Sequence, residues 1–154
     1  MKIVPVFCIL LTMLSCATKP DDSLSSSERK DIEKEIESHI DDFIKNYNEK
    51  NLDEAFKDIA NKKEFKVGVG GEFMDYPRFY RHIKGFLDKV DTLEAKKVKS
   101  YTTIITRDVA IYSMIQSQNL TLRNGKHYQP TYAVTFLFRK IDNVWRVVYL
   151  HESE

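Results

Sequence analysis

Apolar residues in the first half of the chain recur at steps of three and four, which is the period of an amphipathic helix. One such series predicts a long first helix, and its members are Ile32, Ile36, Ile40, Phe43, Ile44 and Tyr47. Ser25 and Glu28 precede it at the S-x-x-E spacing of a capping box. A short second helix is predicted from Leu52 to Ala60. A third is predicted after Pro77 from a series at Phe79, Ile83, Phe86, Leu87 and Val90.

The rest of the chain is rich in β-branched and aromatic residues, which favour strands. The predicted strands are Phe65 to Val69, Val98 to Thr106, Val109 to Leu122, Tyr132 to Ile141 and a closing strand from Trp145 to Ser153. Asn124-Gly125 is a preferred hairpin turn, and Asp142-Asn143 is a second tight turn. Long strands joined by short turns predict an antiparallel meander. With three helices ahead of it, the expected fold class is α+β.

The closing strand has two faces that are both apolar near its middle. Strict alternation places Trp145, Val147, Tyr149, His151 and Ser153 on one face, and Arg146, Val148, Leu150 and Glu152 on the other. A sheet with two apolar faces needs two coverings. The helices can cover one face, and a second copy of the chain most simply covers the other. The pattern therefore predicts a homodimer through the outer face.

The first residues resemble a targeting signal. Lys2 precedes an apolar run from Ile3 to Leu14, which is shorter than the roughly 20 residues of a membrane-spanning helix. The ending Leu14-Ser15-Cys16 resembles the lipobox of bacterial lipoproteins, in which the cysteine is acylated. We expect a signal peptide over residues 1–15, a lipidated Cys16 with a polar tether over 16–27, and a folded domain over 28–154. The resemblance implies a bacterial cell-envelope protein anchored to the outer membrane, facing the periplasm or the surface; the alternative is an ordinary secreted protein cut near Ala17.

Charge and composition exclude several classes of function. The formal net charge is +1 with no basic stripe, so nucleic-acid binding has no electrostatic basis. Both cysteines, Cys8 and Cys16, lie in or next to the signal, which leaves no thiol for a disulfide or a nucleophile in the domain. The four histidines, at positions 39, 82, 127 and 151, lack metal-ligand spacing. We therefore expect neither a metal nor another cofactor.

Three segments resemble the SnoaL-like group of the nuclear transport factor 2-like superfamily. Residues 46–55, NYNEKNLDEA, are similar to the family's joint between two helices, and Phe65 to Glu72 followed by a helix is similar to its first strand and third helix. Residues 145–153, WRVVYLHES, resemble its closing strand. The resemblance implies a cone of three N-terminal helices packed on a bent antiparallel sheet of four to six strands. It also implies a dimer through the outer sheet face.

The cone holds a ligand in enzymes of this superfamily such as steroid isomerases and polyketide cyclases, and serves assembly in others, including a kinase association domain. An isomerase needs a carboxylate base, a tyrosine and a protonated acid. The corresponding positions here hold Val69, Phe43 and Val134, which cannot supply that chemistry. Fold alone therefore does not assign an activity.

His151 is the main candidate for chemistry, since an imidazole can accept or donate a proton near neutral pH. Asp75, Tyr112 or Tyr132 could lie opposite it, and Tyr47 could line the same cavity. The alternative is that His151 is simply packed in the fold. The first hypothesis is a module that binds a small apolar molecule or a protein partner without catalysis. The alternatives are a hydrolase or lyase using His151 with Asp75 or a tyrosine, and a structural dimerisation module.

Overall fold

The structure is a computed structural model that describes residues 24–60 and 62–153. The predicted signal peptide, Cys16 and nearly all of the tether lie outside the described residues. Within them, no helix is long and apolar enough to cross a membrane.

Three helices form where the periodicity predicts them. Helix α1 spans Ser26–Asn48 and begins with the predicted capping box, in which the Ser25 side chain accepts from the Glu28 amide and Glu28 binds back to the Ser25 amide. Helix α2 spans Leu52–Ala55, and α3 spans Tyr76–Leu87. The prediction that α2 continues to Ala60 is wrong. The chain leaves the helix because its backbone bonds to the closing strand: the Ala60 amide donates to the Val147 carbonyl at 2.9 Å, and the Val147 amide donates to the Asp58 carbonyl at 2.8 Å.

Seven strands of the described residues form one sheet, in the order β2-β1-β7-β6-β4-β3, with β5 paired to β4. Their bounds are β1 Lys66–Val69, β2 Glu72–Asp75, β3 Val90–Thr106, β4 Val109–Leu122, β5 His127–Tyr128, β6 Thr131–Ile141 and β7 Val144–Ser153. The α+β class is confirmed. The helices pack on one face of an open, curved sheet, as the cone requires.

Four details of the predicted sheet are corrected. Strands β2 and β5 are additional, and they bring the sheet to seven strands. Strand β3 begins at Val90 rather than Val98, so Val90 is a strand residue and not the end of α3. Strand β1 pairs with β7 in parallel, so the sheet is not a pure antiparallel meander. Strands β1 and β2 precede helix α3, so the three helices do not all come before the sheet. A tight turn at Gly70 and Gly71, both at positive φ, folds β2 back onto β1.

A bulge in β7 changes which of its residues face the helices. Phe138 pairs with Val147 and Leu137 with Tyr149, which leaves Val148 as an extra residue. Trp145 and Val147 are buried before the bulge, and Leu150 is buried after it, whereas His151 is exposed. The prediction that Trp145, Val147, Tyr149 and His151 share one face is therefore wrong.

Candidate functional site

A cavity opens at one end of the cone, between the helices and the concave face of the sheet. Its volume is about 490 Å³. Helices α1 and α3, the β1–β2 turn and strands β4, β6 and β7 all contribute to its wall. The lining residues are Tyr47, Val69, Gly70, Gly71, His82, Ile83, Phe86, Gln118, Tyr132, His151, Glu152 and Ser153.

A smaller void of about 30 Å³ lies in the cone and shares Tyr47, Ile83, Gln118 and Glu152 with the cavity. The other residues around it are Phe43, Phe56, Phe79, Gln116, Val134 and Leu150. Aromatic rings contact one another here, with the Phe43 centroid 5.9 Å from Tyr47 and 5.5 Å from Phe136. The wall of this void is therefore apolar except for two glutamines, a tyrosine and an acid.

Tyr47, Gln118, Tyr132 and Glu152 form a polar cluster on the cavity wall. Burial raises the pKa of Tyr47 well above its usual range, and the neighbouring Glu152 carboxylate raises it further. A hydrogen bond from Gln118 acts in the opposite direction, and Tyr132 adds a smaller upward effect. Tyr47 is therefore a neutral phenol beside a carboxylate, with an amide and a second phenol next to it.

Glu152 belongs to this cluster because of the β7 bulge. It pairs with Val69 of β1 and Val134 of β6 and, two residues after the buried Leu150, shares the concave face. Strict alternation groups Glu152 correctly with Leu150, but sequence reasoning identified neither it nor Gln118 as a candidate. The bulge at Val148 turns the face of Leu150 and Glu152 toward the inside of the cone, and this bulge has no signal in the sequence.

The imidazole of His151 packs on the outer side of the sheet. His151 pairs with Gly68, and a Cβ added at Gly68 would lie 2.9 Å from Cδ2 of His151 and 3.2 Å from the Tyr149 hydroxyl. Gly68 lies between the inward residue Val67, which is fully buried, and Val69, which lines the cavity. A Cβ on Gly68 would therefore point outward, and the His151 ring lies on that same outer face of the sheet. His151 contributes to the rim of the cavity while its ring lies over Gly68.

The other predicted site residues lie apart from the cluster. Asp75 is exposed and caps α3, where its carboxylate accepts from the Arg78 amide at 2.9 Å. Tyr112 is fully buried and is absent from the cavity wall. Burial raises the pKa of Tyr112, and Ser100 and Glu37 are near enough to modify it. Its hydroxyl nevertheless makes no hydrogen bond of ordinary geometry within residues 24–60 and 62–153. The structure thus brings Tyr47, Tyr132 and His151 to one cavity wall, but not Asp75 or Tyr112.

A model of the SnoaL-like domain matches residues 36–154. The chain belongs to the SnoaL-like domain family. The match contains α1 from Ile36 onward and every strand, and so includes all the residues of the cavity wall.

Solved structures share the fold of this SnoaL-like domain. A nuclear transport factor 2-like superfamily protein from Salmonella enterica superposes with a TM-score of 0.73 at 14% identity, over 81% of this chain and 92% of that chain. A hexachlorocyclohexane dehydrochlorinase from Novosphingobium barchaimii gives a TM-score of 0.70 at 11% identity, over 84% and 90%. The CaMKII association domain of Caenorhabditis elegans gives 0.60 at 15% identity, over 83% and 96%. No curated protein sequence matches the chain. At these identities the likeness concerns the fold, and it spans both an enzyme and an association domain.

The positions that the superfamily's isomerases would use are apolar in this SnoaL-like domain. Val69 lines the cavity, and Phe43 and Val134 surround the inner void. Among the described residues, no group of three or more potential ligands could hold a metal ion. The polar side chains on the cavity wall are the cluster of Tyr47, Gln118, Tyr132 and Glu152, together with His82, His151 and Ser153.

Proposed function

We propose that this SnoaL-like domain binds a small molecule in its cone. The observation that carries the proposal is the polar cluster of Tyr47, Gln118, Tyr132 and Glu152, which faces a cavity of about 490 Å³ beside the apolar side chains of Val69, Ile83 and Phe86. A concave site in which a few polar groups converge next to apolar and aromatic side chains is the usual form of a small-molecule site. The volume suits a molecule of drug or metabolite size.

The cluster favours a ligand that donates hydrogen bonds. A carboxylate only accepts, and Glu152 is the charged group of the cluster. Hydrogen bonds to a charged acceptor are about twice as strong as neutral ones, so Glu152 would select a hydroxyl or N–H donor. Aromatic and aliphatic side chains such as Ile83 and Phe86 would cover the apolar body of the same molecule.

Native mass spectrometry of the purified protein tests the proposal. We expect extra mass on the native protein that is lost on denaturation, and much less of it on Glu152→Gln and Tyr47→Phe. Glu94→Gln removes an exposed acid on β3 that pairs with Lys96 and should keep the ligand. A protein that carries no extra mass, or variants that retain it as fully as the native chain, would count against a binding site in the cone.

A second candidate is a lyase that uses Glu152 as a base. This carboxylate lies in the cavity beside the neutral phenol of Tyr47, an arrangement that could remove a proton from carbon while a leaving group departs. It replaces His151, whose ring lies over Gly68. Loss of turnover in Glu152→Gln with retained ligand binding would favour the lyase, whereas loss of binding alone would favour the first proposal.

We further propose that the domain is held in the bacterial cell envelope by lipidated Cys16. The support is the sequence Leu14-Ser15-Cys16 at the end of an apolar run, followed by a polar segment up to the start of α1. Several acyl chains on one cysteine would give stable anchoring, which a single chain does not. Cys16→Ser should move the protein from the membrane fraction to the soluble fraction, and an unchanged distribution would refute the anchor.

The proposed partner is a second copy, bound through the outer face of the sheet. Along residues 111–115 of β4 and 133–137 of β6 the outward residues are uncharged, and they are Ile111, Ser113, Ile115, Ala133, Thr135 and Leu137. Tyr101 of β3, next to Ser113, is 62% exposed, and Phe73 of β2, next to Gly68, is 73% exposed. A patch of uncharged side chains with exposed aromatic rings beside it is typical of a protein interface.

A further inference from the structure

A second, more apolar groove adjoins the mouth of the cone. Its volume is about 440 Å³. It lies between the end of α3, the end of β4 and the segment containing β5. Its lining residues are Phe86, Leu120, Leu122, Tyr128, Gln129, Pro130 and Tyr132.

The groove and the cone cavity are neighbours that share part of their walls. Phe86 and Tyr132 line both of them, so these two rings stand between the cone and the groove. The two spaces differ in chemistry. The cone contains Glu152, Gln118 and Tyr47, whereas Gln129 is the one amide among the aliphatic and aromatic residues of the groove wall.

Strand β5 supplies the outer wall of the groove. It pairs with the end of β4, with Tyr128 opposite Leu120 and His127 opposite Thr121. Leu120 is buried on the concave side, so Tyr128 faces the groove and His127 faces away from it. Tyr128 remains 45% exposed, which leaves an aromatic surface beside the opening of the cone.

We propose that the ligand is an elongated amphiphile whose polar head occupies the cone and whose apolar tail lies in the groove. This inference rests on the proposed binding function and specifies its ligand class. The head donates a hydrogen bond to Glu152, and the tail passes Phe86 and Tyr132 to contact Leu122, Tyr128 and Pro130. The shared walls favour one continuous occupant over two separate ones, and the lack of charged side chains on the groove wall suits a hydrocarbon tail.

Straight-chain alcohols provide probes of defined length. We would measure dissociation constants of 1-hexanol and 1-decanol by NMR titration of the purified protein. Each methylene buried in the groove should tighten binding about fourfold. Glu152→Gln should weaken both alcohols by about threefold to tenfold, because both heads lose a charged acceptor.

A pair of variants on β5 isolates the groove. Tyr128→Glu places a charge in the path of the tail, and should weaken 1-decanol about tenfold or more while 1-hexanol changes less than about twofold. His127→Glu adds the same charge at the neighbouring exposed position on the other face, and should affect neither alcohol.

The outcomes separate the two proposals. If both alcohols bind and depend on Glu152, but 1-decanol gains nothing over 1-hexanol or is unaffected by Tyr128→Glu, the groove inference is wrong and the binding function stands. If His127→Glu weakens 1-decanol as much as Tyr128→Glu does, the effect is one of net charge and the groove is again excluded. If neither alcohol binds, or binding is indifferent to Glu152→Gln, the binding function fails and the inference fails with it.

Discussion

The contact between His151 and Gly68 gives a structural reason for a histidine near the end of the chain. The ring lies over a residue that has no side chain, with the Tyr149 hydroxyl beside it. Only glycine leaves this space, since a Cβ would come within 2.9 Å of Cδ2. The His151 ring is thus exposed on the outer face above Gly68, and the acid on the cavity wall is its neighbour Glu152.

A double-mutant cycle tests this contact. Gly68→Ala gains strand propensity but creates a clash with the imidazole, so its net cost depends on whether the ring is present. We expect Gly68→Ala to be more favourable by about 1 kcal/mol in a His151→Ala background than in the native protein. Urea unfolding of the four proteins gives this coupling. A coupling near zero would mean that the ring does not occupy the space above Gly68.

A second residue-scale feature is the charge cluster where α1, the segment after α2 and β7 meet. His39 Nδ1 lies 2.7 Å from Asp58 Oδ2, and an Arg146 nitrogen lies 3.2 Å from Asp58 Oδ1. Burial acts to raise the pKa of Asp58, but the hydrogen bond and charge of His39, with Arg146 and Lys57, hold it below its usual value. The cluster therefore stabilises the fold only while Asp58 is ionised.

The sign of this effect fixes a pH window. A carboxylate with a lowered pKa in the folded state contributes stability above its ordinary pKa of 3.8, and loses it as the pH falls toward the folded pKa. The difference in free energy of unfolding between native protein and Asp58→Asn should be larger at about pH 7 than at about pH 3. Asp42→Asn changes an exposed acid that contacts the same Lys57, and should show a smaller pH dependence. Equal differences at both pH values would contradict the assignment.

At the scale of the element, the caps account for where helices begin. The Asp75 carboxylate accepts from the Arg78 amide, and proline follows in the first turn of α3. Asp75 thus acts as a helix cap, whereas the sequence offered it as an acid opposite His151. The cap also fixes where α3 begins, and Ile83 and Phe86 of this helix line the cavity.

Substitutions at Asp75 distinguish capping from catalysis. Asp75→Ala should lower the free energy of unfolding by about 1 kcal/mol, because the first turn loses its acceptor. Asp75→Ser keeps a capping oxygen without a carboxylate, and should restore most of that stability. Thermal unfolding measures both changes. If ligand binding or turnover fell equally in both variants while stability was unchanged, Asp75 would act at the site and not as a cap.

Local signals predict some elements and miss others for physical reasons. Periodicity with the Ser25–Glu28 capping box predicts α1, and periodicity with Pro77 predicts the start of α3 but not its end before Val90. Alternation with the Asn124-Gly125 turn predicts β4 and the hairpin after it. The end of α2, the parallel β1–β7 pair and the Val148 bulge depend on partners far along the chain, such as Val147 for Ala60 and Leu137 for Tyr149. Because the bulge determines which face lies inside the cone, the family fold could be predicted, whereas the placement of Glu152 and His151 could not.

At the scale of the molecule, the sheet separates two surfaces of different composition. Its concave face, covered by the helices, carries the cavity. Its convex face shows Tyr101, Ser113, Thr135 and His151 in one row across four strands, with Ser113 Oγ 3.4 Å from Thr135 Oγ1. This uncharged row, on the face opposite the helices, is the surface on which the proposed dimer rests.

The dimer can be tested without disturbing the cone. Tyr101→Glu puts a charge on this convex row at a position that is 62% exposed, so the single chain should fold normally. We expect native protein to have the mass of a dimer in analytical ultracentrifugation, and Tyr101→Glu to dissociate at about tenfold or more higher concentration, since an unpaired charge would be desolvated at the interface. Tyr128→Glu, which adds the same charge to an exposed tyrosine beside the cone, should remain a dimer. A native protein that stays monomeric at all concentrations would leave the convex face without the proposed partner, while equal dissociation of both variants would locate the interface elsewhere.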